Sequence, residues 1–113
     1  MGTDAKAYVW FGTKPLDERP GFIPADWDEQ RGLDERLAAK GLQLVNVPDP
    51  GGDGLWALAV LKTYHHYDGD VPAEKFDMVL PTKKDIERLR NEAISLGLDF
   101  VDRELGWYMG ATY

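Results

Sequence analysis

The chain has 113 residues and a formal net charge of −7, with 20 acidic and 13 basic side chains. Its length is close to the commonest single-domain size, and a hydrophobic fraction of 43% is enough for one core. The absence of cysteine excludes disulfides, thiolate nucleophiles and cysteine-ligated metals. The acidic balance disfavours nucleic acid, whose phosphates require lysine and arginine, and no apolar run is long enough for a membrane span. We therefore expect one soluble, cytoplasmic domain over residues 1–113.

The first third of the chain predicts a strand, a loop and a helix. The continuously apolar run 8–11 indicates a central strand that is covered on both faces. Three prolines in ten residues then predict a surface loop over 14–26. A helix follows over roughly 28–40, and because Gly32 weakens its first turn, we expect it to begin near Leu33. The candidate N-caps are Asp26 and Asp28, and the predicted C-terminal stop is Gly41.

The middle of the chain predicts a β-hairpin. Leucine and valine over residues 42–47 and a strong apolar run over 55–62 indicate its two strands. The segment between them, 48–54, is dense in proline, glycine and aspartate, which are turn residues. A glycine-rich loop can also bind phosphate, but here a strand follows instead of a helix, and Asp53 adds negative charge. A hairpin turn is therefore the favoured interpretation.

The last third of the chain predicts one helix and one strand. Thr82 is a natural N-cap, and apolar residues recur at helical spacing over 86–96. Residues 105–113 alternate with period two, which predicts a strand with one heavy apolar face. The segment 67–82 has no clear pattern. A short extra strand there would use the alternating residues Phe76, Met78 and Leu80.

The resulting order of elements, β-α-β-β-α-β, predicts an α+β fold of the ferredoxin-like kind. In this two-layer sandwich, both helices cover one face of an antiparallel sheet. We expect the first and last strands at the centre of the sheet. The opposite face is open in this plan, and such a face is commonly covered by a second subunit or a partner.

The densest group of chemically active side chains lies in segment 64–70. It contains both histidines, His65 and His66, and two carboxylates, Asp68 and Asp70. Imidazole and carboxylate are metal ligands, and histidine can shuttle protons near neutral pH. However, adjacent residues on a strand point to opposite faces, and a zinc site requires three or four converging ligands. We favour a polar strand end that runs into a turn, with a metal or small-ligand site as the alternative.

The aromatic residues offer a second kind of candidate site. Four Trp and five Tyr exceed what a small core requires, and both types are enriched at binding hot spots. Trp27 follows the proline-rich loop and Trp56 lies beside the glycine-rich turn, so we expect these two to be exposed. Trp107 and Tyr108 on the last strand complete the interaction candidates. Packing of all four between sheet and helices is the simpler interpretation.

No residue set matches a catalytic motif, and Ser95, the only serine, is predicted mid-helix. We therefore expect a non-catalytic protein-interaction or regulatory module without a cofactor. Its partner would be a second copy of the chain bound at the open sheet face, or a basic protein. In the second case, this chain would be an acidic inhibitor whose residues 26–36 occupy a groove of the basic protein. A ligand-binding protein or enzyme built on segment 64–70 is the alternative. Nucleic-acid binding on the sheet through Tyr8 and Trp10 is opposed by the charge.

Overall fold

The computed structural model describes residues 6–48, 54–68, 79–98 and 104–112. Within these ranges the protein is α+β, as predicted, with a curled antiparallel sheet and two α-helices. The elements in chain order are β1 (Lys6–Gly12), α1 (Trp27–Ala39), β2 (Leu42–Val47), β3 (Leu55–Val60), β4 (His65–Asp68), α2 (Lys83–Ser95) and β5 (Gly106–Thr112), with a 3₁₀ turn (Leu61–Thr63) between β3 and β4.

Strand β1 is the centre of the sheet because strands pair with both of its edges. One edge pairs with β5 along its whole length, from Lys6↔Thr112 to Gly12↔Gly106. The other edge pairs with β4 over residues 6–9 and with β3 at Gly12, and β2 pairs with the far side of β3. The predicted central position of the first strand is confirmed. That of the last strand is wrong, because β3 and β4 together occupy the second edge of β1 and leave β5 outside.

The 3₁₀ turn begins inside the strand predicted over 55–62, so β3 ends at Val60, and β4 follows as a further strand that the predicted order of elements did not include. Thr63 in this turn is completely buried. Its hydroxyl donates to the carbonyl of Val60 at 2.6 Å and accepts the N–H of Phe11 at 3.0 Å. The hydroxyl thereby replaces the partner that β1 loses where the strand is interrupted, so no buried N–H is left unsatisfied at Phe11.

Helix α1 begins earlier than predicted. The side chain of Asp26 accepts the N–H of Asp28 at 2.8 Å, and the helix starts at Trp27. Gly32 therefore lies inside the helix, because the cap and the acidic first turn outweigh the ~1 kcal/mol that glycine costs. Gly41 adopts a φ of 74° just after the helix, which confirms the predicted stop.

Helix α2 begins with a reciprocal capping box. The Thr82 hydroxyl accepts the N–H of Asp85 at 3.1 Å, and the Asp85 carboxylate accepts the N–H of Thr82 at 2.7 Å. Lys62 of the 3₁₀ turn contacts the same carboxylate at 2.7 Å. The hydrogen bond from Lys62, reinforced by those from Thr82, lowers the pKa of Asp85 to about 2. This ion pair ties the start of α2 to the sheet.

The first hydrophobic cluster lies between the sheet and both helices. It combines residues of α1, α2, β2 and β3: Leu33, Leu37, Leu42, Leu58, Val60, Leu89 and Ala93. Phe22 of the loop before α1 packs against this cluster, and Ile23 is itself buried. The predicted surface loop 14–26 therefore contributes apolar residues to the interior.

The second cluster fills the opposite face of the sheet: Tyr8, Trp10, Val45, Val47, Ala57 and Ala59. The curl of the sheet brings β2 against β5 here, so that a Cβ on Gly110 would lie 2.9 Å from Cγ2 of Val47. Trp10 is 0% and Tyr8 is 4% exposed. The expectation of an open face is therefore wrong at its centre, and neither ring is available to stack with a nucleic-acid base.

The predicted hairpin turn and the short extra strand fall largely outside the described residues. Most of the predicted hairpin turn, residues 49–53, lies outside them, as do Phe76 and Met78 of the short extra strand. Leu80 is described and belongs to no strand.

Candidate functional site

The two histidines of β4 lie on opposite faces of the sheet. His66 is the cross-strand partner of Tyr8, and the two rings stack with centroids 4.5 Å apart. His65 is the partner of Val9 on the other face, where its ring lies 5.9 Å from that of Tyr67. The alternation of side chains along a strand separates the two imidazoles, as the sequence predicted. They do not converge on one ligand.

Within the described residues, the two carboxylates of the same segment do not complete a set of metal ligands. Asp68 is the last residue of β4 and pairs with Lys6, whereas Asp70 lies outside the described residues. In the ranges that the structure covers, no three His, Cys, Asp or Glu side chains are grouped so that they could hold a metal ion.

An open cavity of about 770 Å³ lies between the C-terminal end of α1 and α2. Lys40 and Glu92 form an ion pair within its lining, with Nζ and Oε2 2.6 Å apart. Ser95 also lines it and is the last residue of α2, not a mid-helix residue as predicted. The described lining contains no histidine that could act as a base for this serine, so the arrangement is not that of a serine nucleophile.

Trp107 and Tyr108 contribute mainly to packing. Trp107 contacts Phe11 edge to face, with ring centroids 5.6 Å apart. Tyr108 stacks on Trp10 at 5.9 Å, and its hydroxyl donates to the carbonyl of Glu104. Burial, together with the charge of Glu104, raises the pKa of Tyr108. Both rings are partly buried. Trp107 contacts Phe11, which packs against the cluster under the helices, as the simpler interpretation predicts, whereas Tyr108 packs against the second cluster on the opposite face.

Trp56 is also only partly exposed, because Arg19 covers it. The guanidinium carbon of Arg19 lies 5.8 Å from the ring centroid, within cation–π range. The same guanidinium donates to the carbonyl of Pro24 at 2.6 Å and lies 3.5 Å from Oε1 of Gln30. Arg19 therefore fastens the loop before α1 to both the helix and the sheet. This role was not predicted, and its one local signal is an arginine that follows two acidic residues in a proline-rich loop.

Trp27 differs from the other three aromatic candidates because 75% of its surface is exposed. It is the first residue of α1 and follows the loop that Arg19 holds in place. Its neighbours Asp26, Asp28 and Glu29 are all exposed as well. A large apolar ring is thus presented on a fixed helix end and surrounded by negative charge.

The negative charge continues along the exposed side of α1. Segment 26–36 carries five acidic and two basic side chains, for a net charge of −3, and all seven are exposed. The acidic residues are Asp26, Asp28, Glu29, Asp34 and Glu35, and the basic ones are Arg31 and Arg36. Arg31 is 3.8 Å from Glu35, but both side chains are more than 70% exposed, so water screens this pair strongly.

No known protein family, curated protein or solved structure shows significant similarity to this chain. Neither helix in the described ranges has the length and apolarity that crossing a membrane requires.

Proposed function

We propose that this chain is a non-catalytic protein-interaction module that binds a basic protein through the N-terminal end of α1. The observation that carries the proposal is the 75% exposure of Trp27 in the first turn of the helix. A tryptophan in this position leaves a large apolar surface in contact with water, and burying that surface against a partner would stabilise a complex. We call the surface formed by Asp26, Trp27, Asp28 and Glu29 the acidic Trp27 patch.

Charge selects the class of partner. The acidic Trp27 patch and the rest of segment 26–36 have a net charge of −3, within a chain whose net charge is −7. Such a field attracts a basic surface and accelerates encounter with it, whereas it repels nucleic acid and anionic membranes. An acidic inhibitor that covers a basic groove is the form of this proposal that fits the charge best.

The test begins with capture of partners from a lysate of the source cells by the wild-type chain, Trp27→Ala and Ile94→Ala. Ile94 is the matched control because it is also exposed, at 62%, but lies near the end of α2. A captured basic protein is then purified, and its affinity for each variant is measured by calorimetry. We expect Trp27→Ala to weaken binding by at least roughly 30-fold, as for a hot-spot residue worth about 2 kcal/mol.

The charge component is tested with the same partner. Neutralising the patch with Asp28→Asn and Glu29→Gln should weaken binding and reduce its salt dependence, whereas Glu87→Gln on the exposed side of α2 should not. Binding that is unchanged in Trp27→Ala, or that does not weaken as salt is raised, would contradict the proposal.

We also propose that the fold is of the ferredoxin-like kind. If β3 and β4 are taken as one strand interrupted by the 3₁₀ turn, the order across the sheet is β2, β3 with β4, β1, β5. This order, together with the first hydrophobic cluster, to which both α1 and α2 contribute, supports a ferredoxin-like plan with a strongly curled sheet. A cytoplasmic location is supported only by composition, through the absence of cysteine.

A further inference from the structure

Among the strands that the structure describes, β5 lies at one side of the sheet. In the described part of the chain, β5 pairs with β1 alone, and no backbone hydrogen bond reaches its outer side. An exposed edge presents a row of N–H and C=O groups to which another strand can add. The question is which strand fits this edge.

The direction of the backbone groups follows from the bonds that β1 makes. Phe11 donates its N–H to Thr63, and Thr13 donates its N–H to Leu58, so odd-numbered residues of β1 face the edge shared by β3 and β4. Backbone groups of successive residues alternate in direction along a strand. Even-numbered residues of β1 therefore bond to β5.

The same alternation fixes the direction of each residue in β5. Tyr108 and Gly110 are the cross-strand partners of even-numbered residues in β1, so their N–H and C=O groups point inward. Trp107, Met109 and Ala111 consequently direct theirs to the outer edge. Met109 is the middle of this row, and its side chain is 74% exposed.

Two of the features that commonly prevent strands from adding are missing from the residues of β5. Residues 106–112 include no charged residue and no proline. The opposite edge of the sheet, β2, is followed directly by Pro48. By the same alternation, the backbone of Pro48 faces the outer side of β2, and proline has no N–H that could donate to an added strand. β5 thus differs from β2, because its own residues include neither a charge nor a proline that would hinder an added strand.

We propose that β5 pairs antiparallel with β5 of a second copy of this chain, with Met109 of each copy opposite the other. This register is self-complementary in size. On one face it places Trp107 opposite Ala111, and on the other it places Tyr108 opposite Gly110, so that each aromatic residue meets a small one. The twofold axis gives each copy the same contacts, and the two sheets become one continuous sheet. This interface is separate from the acidic Trp27 patch.

The test measures molar mass by light scattering from micromolar to submillimolar concentration for the wild type, Met109→Lys and Met109→Leu. We expect the wild type and Met109→Leu to approach twice 12.7 kDa, and Met109→Lys to remain at 12.7 kDa because it places charge at the axis. Dimerisation should not weaken with salt, since two chains of charge −7 repel each other. A basic partner would show the opposite salt dependence, so the two proposals can fail independently.

Amide hydrogen exchange tests the register and the folding of the variant together. In the wild-type dimer, the amides of Trp107, Met109 and Ala111 should exchange slowly, and in Met109→Lys those of Trp107 and Ala111 should exchange fast. The inward-facing amides of Tyr108 and Gly110 should stay protected in both, which shows that β5 is still paired with β1. A wild type that stays at 12.7 kDa throughout, or a dimer that Met109→Lys leaves intact, overturns the proposal.

Discussion

Replacing Thr63 with valine tests whether the buried hydroxyl holds the interrupted edge of the sheet together. Valine keeps the shape of threonine, so the substitution opens no cavity at a side chain that is 0% exposed. It removes the acceptor of the Phe11 N–H at 3.0 Å and the donor to the Val60 carbonyl at 2.6 Å. Both backbone groups are then left without these partners in the interior.

The magnitude follows from these two groups. An unsatisfied buried N–H costs about 1–3 kcal/mol, and a carbonyl that keeps a second lone pair costs less. We expect Thr63→Val to lower the free energy of unfolding by about 2–3 kcal/mol. For a chain of 113 residues, this corresponds to a decrease in Tm of roughly 8–12 °C.

Urea unfolding at 25 °C and calorimetry measure the change, with Thr63→Ser as the matched control. Serine retains the hydroxyl and loses one buried methyl, so it should cost only about 1 kcal/mol. In exchange experiments, the amide of Phe11 should become less protected in Thr63→Val but not in Thr63→Ser. A valine variant as stable as the serine variant would refute the role assigned to the hydroxyl.

Two further predictions concern the contact between β2 and β5 and the start of α2. Gly110→Ala should lower the free energy of unfolding in urea by about 1–3 kcal/mol, because the new methyl would lie 2.9 Å from Cγ2 of Val47. Adding Val47→Ala to this variant should recover part of the loss. A Gly110→Ala variant as stable as the wild type would contradict the close approach. Asp85 has a folded pKa of about 2, below its ordinary 3.8, so its stabilisation is complete above pH ~4 and is lost as pH falls towards 2. Asp85→Asn should remove this pH dependence. The contribution is about 1 kcal/mol, because the paired Lys62 is 43% exposed and water screens the ion pair. Stability curves of wild type and variant that run parallel between pH 2 and 6 would exclude it.

The helix ends could be predicted because their signals are local. Asp26 and Thr82 cap helices through bonds to residues two or three positions away, and Gly41 ends α1 through its own backbone conformation. The delayed start predicted for α1 was wrong because a propensity cost at Gly32 was weighed without the stronger cap before it. Caps and propensities act on the same few residues, so their balance decides where a helix begins.

The break in the strand could not be predicted from the pattern. Residues 61–63 follow an apolar run and show no turn signal such as glycine or proline. The 3₁₀ turn forms because Thr63 satisfies the N–H of Phe11, a residue 52 positions earlier in the chain. A bond over such a distance exists only after the sheet has assembled.

The sequence by itself determined the order of the elements other than β4, most of their ends, the separation of His65 and His66, and the acidic character of α1. These depend on neighbouring residues and on the period of a strand. Only the tertiary structure decided which aromatic residues are exposed. The curl of the sheet brings Val47 against Gly110 and buries the face that holds Trp10, while Trp27 stays in water. Strand pairing likewise decided that, among the described strands, β5 pairs with β1 alone. Burial and edges are properties of contacts between distant segments, and no local pattern of residues specifies them.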